Sequence, residues 1–470
     1  MRESVLQSDK LLLPELLHLG RQVAERFLAE VDDRPAGHHV PAIRRAALPE
    51  QGMGAAAALE QLRAAYATWM SGSAGPRYFG FVMGGTTPAA LLGDWLTSTY
   101  DQNLADGGES GARQLTLDAL GLYRDLLGLP DSFRGAFVTG ATTSATVALA
   151  TARQWVGRER GVDVSVGGLA ALGPVRVLGG APHSSIYKAL SVLGLGRSAV
   201  RTVATLPGRE AVDLHALRRA LVRAELEGDT PCIVVANAGT VNTCDFDDLR
   251  AIASLREHHR FWLHVDGAFG AVAAASPRYR GLVEGIELAD SVTVDGHKWL
   301  NVPYDSAVVL TKHLPLQGEV FRSSGAYLPL EVHEDTFIHL TLENSQRVRA
   351  IPTWMTLMAY GREGYAEIVE RCCDLAAWLG ERMEEHPCFR LLAPVRLNGV
   401  CFTLVDPSGT AASGERVGAF LDRVQRDGTT FFTPTTYDGL PAARLSVSNW
   451  RTRPADLEVA WQAMARAAEQ

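Results

Sequence analysis

A chain of 470 residues that is 47% hydrophobic can bury a large core, and its length predicts two or three domains. A formal net charge of −8 argues against the basic stripe of a nucleic-acid binder, and no run of 18 apolar residues is present to span a membrane. The six cysteines show no CxxC or Cys/His ligand spacing and read as free thiols, and Pro14 and Glu15 interrupt the N-terminal apolar run, so a cytoplasmic protein without a zinc site or signal peptide is expected.

Taken in order, residues 11–31 carry Leu12, Leu16, Leu19, Val23 and Phe27 at helical spacing, residues 32–49 read as a loop, and a second helix is predicted over 54–70. Residues 1–75 thus form a helical arm too thin for a core of its own. The stretch 71–88 is Gly-rich and aromatic at once, and reads either as a pocket wall or as a buried connection. Helices follow over 89–100 and 114–127.

From residue 135 short apolar runs alternate with helical stretches. Strands are predicted over 136–139, 175–178, 200–202, 232–236, 261–265, 291–294 and 306–311, and helices over 140–153, 184–193, 214–226 and 247–258. That alternation predicts an α/β domain over 76–350 with a mostly parallel sheet, whose ligands bind beyond the carboxyl ends of the strands. Residues 351–470 change character. A long helix (353–383), strand candidates at 390–395, 400–405 and 444–447, a pair of phenylalanines at 431–432, and helices at 414–427 and 454–469 predict a smaller α+β domain.

Four features converge at the predicted carboxyl edge. Residues 140–144 join a strand to a helix N-terminus, suited to a phosphate or simply a capped start. Asp266 follows a buried strand, where a carboxylate is costly unless a cation meets it; a protonated pyridine nitrogen would serve, as would a local turn. His183, after another strand, is either structural or able to lie on an aromatic ring. Lys298 sits in a turn between two strands beside His297 and Trp299, as a solvated lysine or as a Schiff-base amine. A carboxylate for a ring nitrogen, an amine for an aldehyde and a helix start for a phosphate fit one ligand, pyridoxal 5′-phosphate (PLP).

The motifs PRYFGFV, PHSS, AGTVNTCDFDDL, HVDGAFG and VDGHKW together resemble the PLP-dependent group II amino-acid decarboxylases, the aromatic-L-amino-acid, glutamate and histidine decarboxylase group. The likeness covers most of the chain and implies the aspartate-aminotransferase type of fold (fold type I). By that resemblance Lys298 carries the cofactor, Asp266 pairs with its ring nitrogen, Ala268 packs on the ring and His183 stacks opposite. Thr142, Thr143 and His297 would meet the phosphate, and Thr240 would lie near the ring. Tyr327 resembles the mobile-loop tyrosine that protonates the product carbon, which favours simple decarboxylation of an L-amino acid to an amine. A homodimer clasped by the N-terminal helices, with active sites at the interface, is implied as well. Three departures from the family pattern, at Gly75, residues 109–116 and Gln346, fall where substrate choice is set.

Tyr78, Phe79, Phe81 and Trp95, with Ser345, are candidates for a pocket that favours an aromatic substrate, while Arg77, Arg113 and Arg347 leave an acidic one open. Other PLP chemistry (aldehyde synthesis, transamination or carbon–carbon bond formation) and a non-catalytic binding homologue are the alternatives.

Overall fold

The computed structural model describes residues 4–38, 40–41, 45–104, 109–323 and 331–470. The N-terminal residues form α1 (Val5–Leu11), α2 (Leu13–Glu30) and α3 (Ala55–Tyr66). The helix expected over 11–31 is α2, and α1 is an additional short helix before it, separated at Leu12, just before Pro14 in the first turn of α2. None of the three buries a residue within this chain. Next come α4 (Pro88–Tyr100) and α5 (Ala112–Leu127).

Among the described residues seven strands form the main sheet: β1 (Arg134–Val138), β2 (Val177–Gly179), β3 (Val200–Thr202), β4 (Cys232–Asn237), β5 (Phe261–Asp266), β6 (Ser291–Asp295) and β7 (Ala307–Thr311). Their order is β1-β7-β6-β5-β4-β2-β3. Only β7 runs against its neighbours; β2 to β6 pair in parallel. Strands β4, β5 and β6 are buried along their whole length, as strands covered on both faces must be, and their sequences are correspondingly apolar. The longest of the covering helices that follow a strand, α6 (Ala141–Glu159), packs on β6 and β7.

The second sheet has four antiparallel strands, β8 (Phe389–Leu391), β9 (Gly399–Leu404), β10 (Thr433–Tyr437) and β11 (Leu440–Ser446), in the order β10-β11-β9-β8. Here the strand reading was least accurate. Residues 392–395 lie outside β8, Phe431 and Phe432 lie just before β10, and of the hairpin β10–β11 only the end of β11, from residue 444, was foreseen. The turn signal was in the sequence: Asp438-Gly439 both have positive φ (49° and 73°), as a two-residue hairpin turn requires. One apolar core runs from Val292 and Val308 of the large sheet to Phe402 and Phe420 beside the small one. The helix predicted over 353–383 runs Ala350–Glu385, bent at Gly361, whose φ of 56° favours glycine. The helix predicted over 247–258 shortens to Leu249–Ser254 and ends in a 3₁₀ turn.

The Gly-rich stretch 71–88 is a buried connection with a positional task. Phe79 is 1% exposed, Tyr78 stacks on Phe431 at 4.8 Å, and a Cβ on Gly84 would overlap the carbonyl oxygen of Lys298. Gly84→Ala must therefore move the Lys298 turn. The expected cost is about 1–3 kcal/mol of stability, seen as a lower Tm together with weaker PLP binding in a spectral titration.

Candidate active site

The carboxyl ends of β1, β2, β4, β5 and β6 meet in a cavity of about 610 Å³, closed on one side by Thr435 of β10 and Arg444 of β11. The volume is that of a small-molecule site. Each strand delivers side chains to it through the turn that follows, as the parallel topology dictates.

From β6 the chain enters the turn bearing His297 and Lys298. Asn301, at φ 56°, pins this turn: its amide donates to the Trp299 and Ser448 carbonyls at 2.8 and 3.1 Å, and its Oδ1 accepts from the Trp450 amide at 2.8 Å. Lys298 Nζ lies 3.0 Å from Oδ2 of Asp295, the last residue of β6, whose side chain is 2% exposed. The other Asp295 oxygen accepts the Ala141 amide at 2.6 Å and lies 3.5 Å from His297 Nε2. His297 Nδ1 accepts the Ser306 amide at 3.2 Å, which leaves the ring proton on Nε2, and the ring stacks on Tyr304 at 4.2 Å. Burial holds its pKa below the ordinary value.

Strand β1 leads through Gly140 into α6, a 19-residue helix with no side-chain N-cap. Its first amides need acceptors from outside. Asp295 takes that of Ala141, and Thr142 stands on the cavity wall. Thr143 does not: its hydroxyl pairs with Thr139 at 2.8 Å and it lies off the wall.

His183 caps the helix Ser184–Val192, its Nδ1 accepting from the Ser185 amide at 3.3 Å and pairing with the Ser185 hydroxyl at 2.8 Å. Its proton therefore sits on Nε2, on a ring that lines the cavity. Burial lowers its pKa, and the Asp266 charge partly opposes that.

Asp266 ends β5 at 7% exposure. Its Oδ1 accepts only the Ala268 amide, at 3.2 Å, and among the described residues it forms no ion pair within 4.0 Å. A nearly buried carboxylate this poorly satisfied is costly unless a cation arrives from the cavity. A protonated pyridine nitrogen is such a cation, so the residues present fit PLP: an amine, an unpaired acid and a helix start share one wall. Ala268 and Thr240 are on it as well.

The model of the pyridoxal-dependent decarboxylase conserved domain matches residues 38–405. The chain belongs to that family. It is a PLP-dependent carboxy-lyase acting on an amino acid. An aromatic-L-amino-acid decarboxylase from Bacillus atrophaeus is 29% identical over 343 residues, spanning 72% of this chain and 69% of that one. Human cysteine sulfinic acid decarboxylase is 31% identical over 345 residues, 71% of this chain and 68% of its own. Among solved structures, Oryza sativa TDC with PLP and tryptamine superposes with a TM-score of 0.89 at 21% identity, covering 97% of this chain and 98% of that one. Fold type I is thereby established for this decarboxylase.

The expected substrate pocket needs correcting for the single chain. None of Tyr78, Phe79, Phe81, Trp95 and Ser345 lines the cavity of this decarboxylase. Phe79 is core, Phe81 and Trp95 are 58% and 42% exposed on the outer surface, and Ser345 is exposed. Tyr327 lies outside the described residues. Glu210, Asn237, Asn242, Asp295, Thr435 and Arg444 also stand on the wall, although the sequence reading gave none of them a role in the site. Asp295 had a signal, since it stands three residues before Lys298 in VDGHKW. Arg444 opened the strand predicted over 444–447, but without the hairpin nothing aimed it at the cavity. Its Nη1 donates to the Val241 carbonyl at 2.7 Å, and burial lowers its pKa.

Proposed function

We propose that the substrate is an aromatic L-amino acid, released as its amine, and that Lys298 carries PLP while Asp266 holds the ring nitrogen protonated. The single observation carrying the residue assignment is that Lys298 and an unpaired, nearly buried Asp266 line the same cavity. PLP, when bound, supplies the electron sink that takes the bond pair as carbon dioxide leaves. Everything else falls to the chain. Asp266 keeps a proton at the ring nitrogen, and the Thr142 side of the α6 N-terminus with His297 Nε2–H receives the phosphate. Arg444 offers a guanidinium for the substrate carboxylate, orienting the bond to be broken. His183, with its proton on Nε2, would lie over the ring. Thr240 and Ala268 bound the ring, and Tyr327 returns the proton to the product carbon.

The aromatic preference is supported by the aromatic-L-amino-acid decarboxylases among the relatives. A second copy of the chain is part of the same reading. Leu92 and Trp95 on α4 are 56% and 42% exposed, and Met358, on the helix packed against α4, is 57% exposed. Such a patch calls for a cover. We assign it to a cytoplasmic homodimer in which the arm, residues 1–75, clasps the partner; residues 76–350 form the large domain and 351–470 the small one. Sedimentation should give twice the chain mass of 50.7 kDa, and Trp95→Asp should shift it toward one.

The test of function is release of carbon dioxide and amine from a panel of amino acids, with hydrogen peroxide followed to detect aldehyde synthesis. Tyrosine, tryptophan or phenylalanine should lead, without peroxide. Preference for glutamate or cysteine sulfinate would overturn the substrate class.

A further inference from the structure

Glu210 stands between β3 and the helix Leu214–Leu226, in a segment with no apolar periodicity, and none of the roles above uses it. It lines the cavity beside Arg444, Asn242 and Thr435. Neutral donors fix its carboxylate. Oε2 accepts the Thr240 hydroxyl at 2.5 Å, the Thr243 hydroxyl at 2.7 Å and the Thr243 amide at 3.2 Å. Oε1 accepts the Asn242 side-chain amide at 3.1 Å, and Asn242 is itself held by the Thr435 hydroxyl at 2.8 Å. Among the described residues Glu210 forms no ion pair within 4.0 Å. Its carboxylate is thus oriented by hydrogen bonds, and the guanidinium of Arg444 on the same wall feels its charge without forming an ion pair.

We propose that Glu210 is a specificity-determining residue that admits amino acids with neutral side chains and turns away those whose side chain bears a second anion. Arg444 can neutralise one carboxylate, that of the amino acid itself. A side-chain carboxylate or sulfinate entering the same cavity meets the charge of Glu210, which already draws on Arg444, and a single like charge at short range disfavours it by on the order of tenfold. This inference rests on the reading that the cavity takes an amino acid, and it gives that reading a physical basis for choosing between the aromatic and the acidic branches of the family.

The test is equilibrium binding to the PLP-loaded protein, so that it does not depend on turnover. α-Methyltyrosine and α-methylglutamate are titrated against the visible absorption of the wild type, Glu210→Gln and Glu210→Asp. The wild type should bind α-methyltyrosine the more tightly. Glu210→Gln should leave that Kd within about threefold while tightening α-methylglutamate by on the order of tenfold. Glu210→Asp, which keeps the charge, should keep the discrimination. If both analogues shift together in Glu210→Gln, Glu210 merely supports the wall through Thr240 and Thr243, and the proposal fails. It fails equally if the α-methylglutamate Kd does not tighten, or if Glu210→Asp loses the discrimination. A wild type that discriminates as stated but releases no carbon dioxide from any neutral amino acid would sink the proposed activity and leave the role of Glu210 standing.

Discussion

Lys298→Ala is expected to lose carbon dioxide release and the visible cofactor band together. The rate should fall on the order of 10⁴-fold or more, the scale on which enzymes lose activity when a covalent nucleophile is removed. The substitution also strips the cation from Asp295, which is 2% exposed and 3.0 Å from Lys298 Nζ. Breaking a buried pair on one side costs roughly 3–5 kcal/mol, discounted here because Lys298 is itself 20% exposed. Lys298→Ala should therefore show a lower Tm as well. Lys298→Arg separates the two effects. The guanidinium can still face Asp295 but cannot form the covalent link, so Tm should recover while activity and visible absorption stay lost. Activity or absorption surviving in Lys298→Arg would mean that another amine holds the cofactor.

Asp266→Asn should act in the opposite sense on stability. Asp266 accepts one backbone hydrogen bond and forms no ion pair within 4.0 Å among the described residues. An amide of the same shape keeps that bond and removes a poorly compensated buried charge, so the cofactor-free protein should be as stable as the wild type or more so. The chemistry should suffer all the same. Without a carboxylate the ring nitrogen is not held protonated, and kcat should drop by about 10²–10³-fold, comparable to losing one preorganised electrostatic partner. The decisive pattern is a fall in kcat with Tm held. A fall in Tm that tracks the fall in kcat would make Asp266 a structural residue.

Much of this was readable from the chain alone, for a physical reason. Strands β4, β5 and β6 are buried on both faces, so they appear in the sequence as short apolar runs, and each ends at a residue that reaches the cavity: Asn237, Asp266 and Asp295. Once the alternation implies a parallel sheet, the side chains after those runs must converge at one edge. Lys298, Asp266, His183 and the helix start at 140–144 could be grouped on that ground, while Thr142, Thr240, Ala268 and His297 were implied by the family resemblance alone. What escaped were contributions from segments without periodicity. Thr435 and Arg444 arrive on a hairpin of which only the end of the second strand, from residue 444, was read from the sequence. Glu210 sits in a loop, where no pattern dictates which way a side chain points. The aromatic stretch 78–81 misled because composition measures apolar area without saying what covers it; Phe79 is covered by this chain, while Phe81 is 58% exposed.

The lysine content allows an unusually clean trial of the central assignment. The chain has four lysines, Lys10, Lys188, Lys298 and Lys312. Lys10 and Lys188 are exposed, and Lys312 donates to the Glu287 carbonyl at 2.6 Å, away from the cavity. Borohydride reduction of the PLP-loaded protein followed by peptide mass mapping would fix the cofactor to one of them. The account predicts the mass increment on the peptide containing Lys298 alone; the increment on any other lysine peptide, or on none, would contradict it.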